Sequence, residues 1–464
     1  MANSDIGLIG LAVMGQNLAR NVANKGFSIS VFNRTTTTTD EFIKEFGTEK
    51  LIGSHTLEEF VQSLAKPCKI LIMVKAGAPV DAVIDQLTPL LEAGDIIIDG
   101  GNSFYQDTIR RQESLATKNI HFIGMGISGG EEGALNGPSM MPGGDKAAYD
   151  TVAPILEKIA AADGIGGTCI SYLGAGAAGH FVKTVHNGIE YAIMQALAET
   201  YDILHRLGQF SNDQLHQIFN DWNKTANLNS FLVEITATIF AKKDEETGKY
   251  LIDLIKDAGK QKGTGKWTSQ AAFDYGMPVP TITAATEARM MSAHPTRHKM
   301  QFPETLNDTD LPTPDQIKHQ AFHALELTTL ISYFQGFDLL AATSAEYNWE
   351  LNLSEIARIW RGGCIIRSSL LDPFQKLYAQ DPNSTAYLLK QFEGENQLSW
   401  RQFVALGINH GIPLPTTQAA LAYYDALRAE RLPQNLTQAQ RDLFCAHTYQ
   451  RTDKEGQFHT DWEA

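Results

Sequence analysis

A short apolar run, Ile6-Gly-Leu-Ile, passes directly into Gly10-Leu-Ala-Val-Met-Gly15-Gln-Asn and then into a helical stretch. This strand–turn–helix order restricts the fold more than any other feature of the chain. The first glycine admits a tight turn and the last admits close helix–sheet packing. The helix start is then free to offer its amides and partial positive charge to a pyrophosphate. Ala12 stands at the middle glycine position of this dinucleotide fingerprint. Four further apolar runs follow, at Ser28–Asn33, Ile70–Val74, Asp95–Asp99 and Ile120–Ile123, with helical pattern between them. Such an alternation predicts a parallel, doubly wound sheet. A second glycine match, Gly124-Met-Gly-Ile-Ser-Gly129, is followed by Glu131, Glu132 and a Gly/Pro-rich stretch instead of a helical one. Two carboxylates would repel a pyrophosphate, so the nucleotide loop is assigned to Gly10–Gly15, with Leu11, Ala12, Val13 and Met14 between.

Beyond Gly174 the texture changes. Apolar residues recur at three- and four-residue spacing along Ile189–Leu207, His323–Leu340 and Thr417–Leu427, the mark of amphipathic helices. Asn352 with Glu355 reads as a helix start, and Gly362-Gly363 as that helix's end. The last thirty or so residues carry no long apolar stripe and read as a tail that packs on something else. The predicted organisation is an α/β Rossmann-type domain over 1–176, a large all-α domain over 177–433, and a tail over 434–464.

Composition excludes several classes. With 38 basic and 53 acidic residues the net charge is −15, which argues against a general nucleic-acid-binding role. No apolar run reaches the roughly 18 residues of a membrane span. The N-terminus has no signal-peptide pattern, and the four scattered cysteines form no C-x-x-C pair, which fits a reducing, cytoplasmic setting. Two histidine pairs, His294 with His298 and His319 with His323, have helical i, i+4 spacing, but Pro295 and Gln320 stand where a zinc-protease glutamate would be. No metal site is predicted.

At the end of the second predicted strand stands Asn33-Arg34-Thr35, where an NAD enzyme usually has an acidic residue for the ribose hydroxyl. A guanidinium instead suits a 2′-phosphate, so NADP is the expected cofactor. In Gly179-His-Phe-Val-Lys183-Thr-Val-His186-Asn187-Gly-Ile-Glu190-Tyr191, the residues Lys183, His186, Asn187 and Glu190 fall at i, i+3, i+4 and i+7, on one helical face. A lysine held in a low-dielectric site can lose its proton and act as a base, with the glutamic acid two turns on as a complementary acid.

The spacing Lys183-x-x-x-Asn187 resembles the catalytic motif of the β-hydroxyacid dehydrogenases. The segments GLAVMGQN, NRT, VKAG, IIIDGGNS, SGGEEGA, GPSMMPGG, GHFVKTVHNGIEY, KGTGKWT, IWRGGCIIRS and RDLFCAHTY narrow the resemblance to the decarboxylating 6-phosphogluconate dehydrogenase family in its long, dimeric form. The likeness runs from Ile6 to Trp462. It implies oxidation of 6-phospho-D-gluconate by NADP+ to D-ribulose 5-phosphate, CO2 and NADPH, in the oxidative branch of the pentose phosphate pathway. It implies that Lys183 takes the proton of the carbon-3 hydroxyl and that Glu190 protonates carbon 1 of the enediol. No metal is implied, because the keto group accepts the electrons of decarboxylation.

The same resemblance puts Lys75, Ala76, Gly77 and Asn102 at the cofactor. It puts Asn102, Ser128, Gly129, Gly130, His186 and Asn187 at the substrate. Tyr191, Lys262, Thr264, Arg289 and Arg441 would hold the distal phosphate, with His447 on the sugar. Arg441 and His447 lie in the tail, which in this family threads into the partner subunit of a homodimer. KGTGKWT is not a phosphate-binding Walker loop, since Trp267 follows Lys266. The chain departs from the family pattern at Ala177, Glu287 and Cys445. Two alternatives stay open on the residues alone: a related dehydrogenase acting on a small unphosphorylated hydroxy acid, and a non-catalytic NADP-binding sensor.

Overall fold

The computed structural model describes residues 3–261, 263–297, 299, 311–380 and 394–462. Seven strands form one sheet: β1 (Ile6–Ile9), β2 (Ile29–Phe32), β3 (Leu51–Ser54), β4 (Lys69–Ile72), β5 (Ile96–Asp99), β6 (His121–Ser128) and β7 (Ser139–Gly144). Their order is β3-β2-β1-β4-β5-β6-β7. All pairings are parallel except β6 with β7. The four residues of β1, β5 and most of β4 are buried, as a sheet covered by helices on both faces requires. One apolar cluster lies on each face, around Leu8, Val31 and Leu156 on one side and Ile70, Ile97 and Phe122 on the other.

The expected Rossmann-type sheet is present, with two additions. Strand β3 is built on the short run Leu51-Ile-Gly-Ser, too brief and mixed to stand out by pattern. The second glycine pattern lies in β6 up to Ser128, where that strand pairs antiparallel with β7, and, against expectation, a short helix, Gly130–Asn136, follows it. Glycine alternating at 124 and 126 on one strand face marks a close approach by another backbone or side chain.

That approach is made by α8 (Ala178–Arg206), 29 residues long. A Cβ on its second residue, Gly179, would lie 2.2 Å from Met141 O and 2.3 Å from Gly124 O. Only glycine lets the helix start rest on the β6–β7 backbone. From there α8 runs into the helical region, where it packs against α11 (Thr264–Asp274), α12 (Pro280–Ser292) and the 34-residue α13 (Pro314–Tyr347). The helical core gathers Phe181, Val185, Ile189, Phe334, Phe337 and Trp360. Asn352 caps its helix as expected, accepting from the Glu355 amide at 3.1 Å, but that helix (Leu353–Ile359) ends three residues before the glycine pair. Among the described residues no helix is long and apolar enough to cross a membrane.

The tail contains the helix Gln434–Cys445, none of whose residues joins a core cluster. The tail is ordered around the buried Asp442, whose carboxylate accepts from the Thr448 and Thr460 amides and from Trp462 Nε1. Leu436, Leu443 and Phe444 on this helix are exposed.

Candidate active site

The turn after β1 has the geometry its glycines predict. Gly10 has φ +102°, and a Cβ there would lie 2.6 Å from Met73 O; a Cβ on Gly15 would lie 1.9 Å from Gly10 O. The Leu11 amide donates to Asn33 Oδ1 at 3.1 Å, tying the glycine turn to the end of β2. Helix α1 (Val13–Asn24) starts at Ala12 with no side-chain cap and no acidic residue in its first turn. Its N-terminal amides are therefore available to an anion, and its dipole favours one. Arg34 and Thr35 are exposed beside it. Arg34 has no hydrogen bond or ion pair among the described residues. A bare glycine cradle, an uncapped helix start and an uncommitted guanidinium fit a dinucleotide carrying a 2′-phosphate.

The neighbouring turns lie along the same carboxyl edge of the sheet. Lys75 is exposed and Ala76 and Gly77 half-buried after β4, with Gly77 at φ +89° opening α4 (Ala78–Leu87). After β5, Asp99 fixes the turn bearing exposed Asn102: its carboxylate accepts from the Gly101 amide at 3.0 Å and the Ser103 hydroxyl at 2.6 Å. Buried Arg111 joins these turns, donating to Asp99 Oδ2, Gly77 O and Asp81.

The α8 residues singled out from the sequence meet at the end of β6. Lys183 is 5% exposed, its stem lying against the glycine gap in β6: a Cβ on Gly126 would be 2.2 Å from Lys183 Cβ. Its Nζ is 3.3 Å from His186 Nδ1, which is 3.0 Å from Asn187 Oδ1 and 3.9 Å from Glu190 Oε2. The amine and the carboxyl thus flank one imidazole nitrogen. The other nitrogen, Nε2, lies 3.2 Å from Ser128 Oγ at the end of β6. Gly129 and Gly130 follow with φ +122° and +62° and start α6 (Gly130–Asn136).

Burial sets the protonation states here. Desolvation pushes the Lys183 amine down to about 8, with the Glu190 carboxylate partly opposing it. Desolvation raises the Glu190 carboxyl, opposed by the Lys183 and Arg289 cations, although its side chain keeps 21% exposure toward the cleft. His186 is held well below its usual value by burial and by Lys183, so its contact with Glu190 is not an ion pair. A base and an acid whose environments bring their proton affinities toward neutrality suit proton transfer in both directions.

At the far end of the stripe, the Arg289 guanidinium lies 3.4 Å from the centroid of the Tyr191 ring. It donates to Lys260 O and Met194 Sδ, both at 3.4 Å, and among the described residues it forms no ion pair with a carboxylate. Thr264 begins α11 beside them, since a Cβ on the next residue, Gly265, would sit 2.5 Å from Tyr191 Cδ2. Glu287 is exposed and forms no ion pair with Arg289 among the described residues. Lys262 lies outside the described residues. Arg441 and His447 are not brought to this group: both are exposed, Arg441 donating to Gln438 Oε1 and His447 lying edge-on to Phe444. Of the histidine pairs, His323 meets Glu326 and His294 meets Thr296, and His298 lies outside the described residues.

Sequence reasoning missed three supports. Gly126 makes room for Lys183, and alternating glycines in an apolar strand were its signal. The Gly362–Ile365 loop closes the floor: the Ile365 amide donates to Ser128 Oγ at 3.4 Å, and Gly363 O would be 2.7 Å from a Cβ on Gly129. His180 is the third, buried one turn before Lys183.

Two family models match the chain: the NAD binding domain of 6-phosphogluconate dehydrogenase over residues 5–174, and the 6-phosphogluconate dehydrogenase C-terminal domain over residues 179–462. The NADP(+)-dependent, decarboxylating 6-phosphogluconate dehydrogenase of Bacillus subtilis is 50% identical, with 100% of each chain covered. The decarboxylating enzyme of Escherichia coli K12 is likewise 50% identical over 100% of both chains. Among solved structures, the Plasmodium falciparum 6-phosphogluconate dehydrogenase, studied in its apo form and with NADP+ or 6-phosphogluconate, superposes with a TM-score of 0.90 at 43% identity, covering 99% of this chain and 100% of that one.

Proposed function

The chain belongs to the 6-phosphogluconate dehydrogenase family, and on that premise we propose that it converts 6-phospho-D-gluconate and NADP+ into D-ribulose 5-phosphate, CO2 and NADPH. The observation that carries this reading is the buried pairing on α8: an amine depressed to about 8 and a carboxyl raised by burial, both within 4 Å of one imidazole nitrogen.

Gly10–Gly15, Asn33, Arg34, Thr35, Lys75, Ala76, Gly77 and Asn102 would hold NADP+, which when bound supplies the hydride acceptor. Lys183, unprotonated, takes the proton of the carbon-3 hydroxyl. The resulting ammonium returns that proton to the ketone oxygen as CO2 leaves, which stabilises the enediol electrons, and takes it up again as the enediol becomes a ketone. Glu190, whose carboxyl burial makes a weaker acid, gives its proton to carbon 1. His186 and Asn187 orient the sugar hydroxyls, and Ser128, Gly129 and Gly130 hold the carboxylate through a hydroxyl and unobstructed amides. Arg289 carries the distal phosphate with Tyr191, Thr264 and Lys262; a guanidinium with no ion-paired carboxylate among the described residues gains most from a dianion. A small unphosphorylated hydroxy acid would leave that cation unused, which disfavours the alternative substrate.

The same reading makes the protein a cytoplasmic homodimer. The tail helix exposes Leu436, Leu443 and Phe444 and keeps Arg441 and His447 away from their own chain's site. In a dimer the partner's tail would bring those two side chains to the phosphate and sugar. The test is NADPH absorbance on adding 6-phosphogluconate or an unphosphorylated hydroxy acid, with NADP+ and with NAD+. Turnover of the phosphorylated acid with NADP+ is expected, and Lys183→Ala should abolish it while NADP+ still binds. Equal turnover of the unphosphorylated acid would overturn the substrate, and an active Lys183→Ala would remove the base.

A further inference from the structure

His180 is fully buried, titratable and given no part in the chemistry above. Its ring joins three elements. Nε2 lies 3.0 Å from Asp99 O at the end of β5, and Nδ1 lies 2.7 Å from the Thr108 hydroxyl on α5 (Tyr105–Ala116). A carbonyl oxygen can only accept, so Nε2 carries the proton and Nδ1 of the neutral ring accepts from Thr108. The ring occupies a slot cut by glycine: a Cβ on Gly124 would lie 2.8 Å from Nδ1 and 2.7 Å from Thr108 Cγ2.

The charged groups facing this ring are Asp99 and Arg111. They form the clamp that shapes the Asn102 turn, with Arg111 and Ser103 on the Asp99 carboxylate. The main-chain oxygen of that same aspartate is what His180 holds. Three residues further along α8 stands Lys183. We propose that His180 is a positioning residue that fixes the distance between the base on α8 and the Asn102 turn, and so between the proton acceptor and the site of hydride transfer. No other side chain of α8 hydrogen-bonds to the β5 end or to α5 among the described residues. The other contacts of α8 with the sheet, Gly179 and the Lys183 stem against the β6–β7 backbone and His186 against Ser128, go to β6 and β7 and leave the β5 end unheld.

This inference rests on the dehydrogenase reading; turnover by the unmodified enzyme tests that reading, and only the following variants test His180. Thr108→Val is close to isosteric and removes the hydroxyl that orients the ring, while Thr108→Ser keeps it. Each full-length variant is assayed for kcat, for the Michaelis constants of both reactants, and for the deuterium isotope effect with substrate labelled at carbon 3. Thermal midpoint and NADP+ affinity are measured alongside. Thr108→Val should lower kcat about ten- to a hundredfold, the scale of a misplaced reacting group. Its isotope effect should rise as hydride transfer becomes limiting, with the Michaelis constant for the phosphorylated acid little changed, and Thr108→Ser should recover most of both. Unchanged kcat and isotope effect in Thr108→Val would overturn the proposal, as would a loss that serine does not restore. A fall in kcat that only tracks the folded fraction would also overturn it. If Thr108→Val does not accumulate as folded enzyme, Thr108→Ala is judged by the same criteria.

Discussion

Replacing Gly126 by alanine adds one methyl group in the middle of β6, directly under the proposed base. The residue has ordinary strand φ, so alanine meets no backbone strain there. The conflict is with a side chain. The new Cβ would lie 2.2 Å from Lys183 Cβ, 2.7 Å from Cγ and 3.3 Å from Cδ. Carbon atoms rest about 3.5–4.0 Å apart, so more than ~1 Å of separation must be found. Rotation of the lysine stem cannot supply it, because the nearest contact is the Cβ, fixed to the α8 backbone. The helix must lift from the sheet, or the strand must bow.

Overpacking of this kind costs about 1–3 kcal/mol of stability. The catalytic loss should be larger, because a shift of about 1 Å at a reacting group can cost on the order of a hundredfold in rate. The assay is initial-rate NADPH formation with 6-phosphogluconate, with thermal unfolding and NADP+ binding measured on the same preparation. Gly407→Ala serves as the comparison: its Cβ would sit 2.3 Å from Leu414 Cδ1 in the helix Glu395–Asn409, away from the site. Both variants should lose stability, and only Gly126→Ala should lose kcat by about a hundredfold with NADP+ binding retained. A Gly126→Ala enzyme turning over within about threefold of normal would refute the placement of Lys183 against β6.

The pH profile should carry the buried amine's signature. Lys183 must be unprotonated to accept a proton, so kcat/KM should fall as pH drops below about 8. Because the Glu190 carboxylate partly sustains that value, Glu190→Gln should move the acid limb to lower pH as well as slow turnover; a limb that stays put would mean the two groups do not interact. Arg34→Asp should swing preference toward NAD+ by about tenfold or more, since a carboxylate repels the 2′-phosphate and can bond the ribose hydroxyl; an unchanged ratio of kcat/KM values would count against the assignment. Truncation after Pro433 should severely raise the Michaelis constant for the phosphorylated substrate and weaken the dimer in sedimentation, whereas a fully active truncated chain would defeat the shared site.

Local sequence alone determined the glycine turn at 10–15, the core strands of the parallel sheet and the polar stripe on α8. Each depends on short-range rules: backbone freedom at a glycine, and the two- and 3.6-residue repeats that sort side chains onto faces. The specific segments also carried the family. Tertiary structure decided what those rules cannot reach. The run at 124–129 has the spacing of a turn motif, yet it is strand as far as Ser128 because β7 pairs with it and α8 lies across it. The shifted proton affinities of Lys183 and Glu190 come first from desolvation, which packing against elements distant in the chain such as β6 at Gly126 creates, and no periodicity contains that. Arg289 and Tyr191, a hundred or so residues apart in the sequence, stack because α8 and α12 pack together. Burial and long-range packing exist only once the chain has folded, so a motif can name the reacting groups while the fold alone sets their distances and their protons.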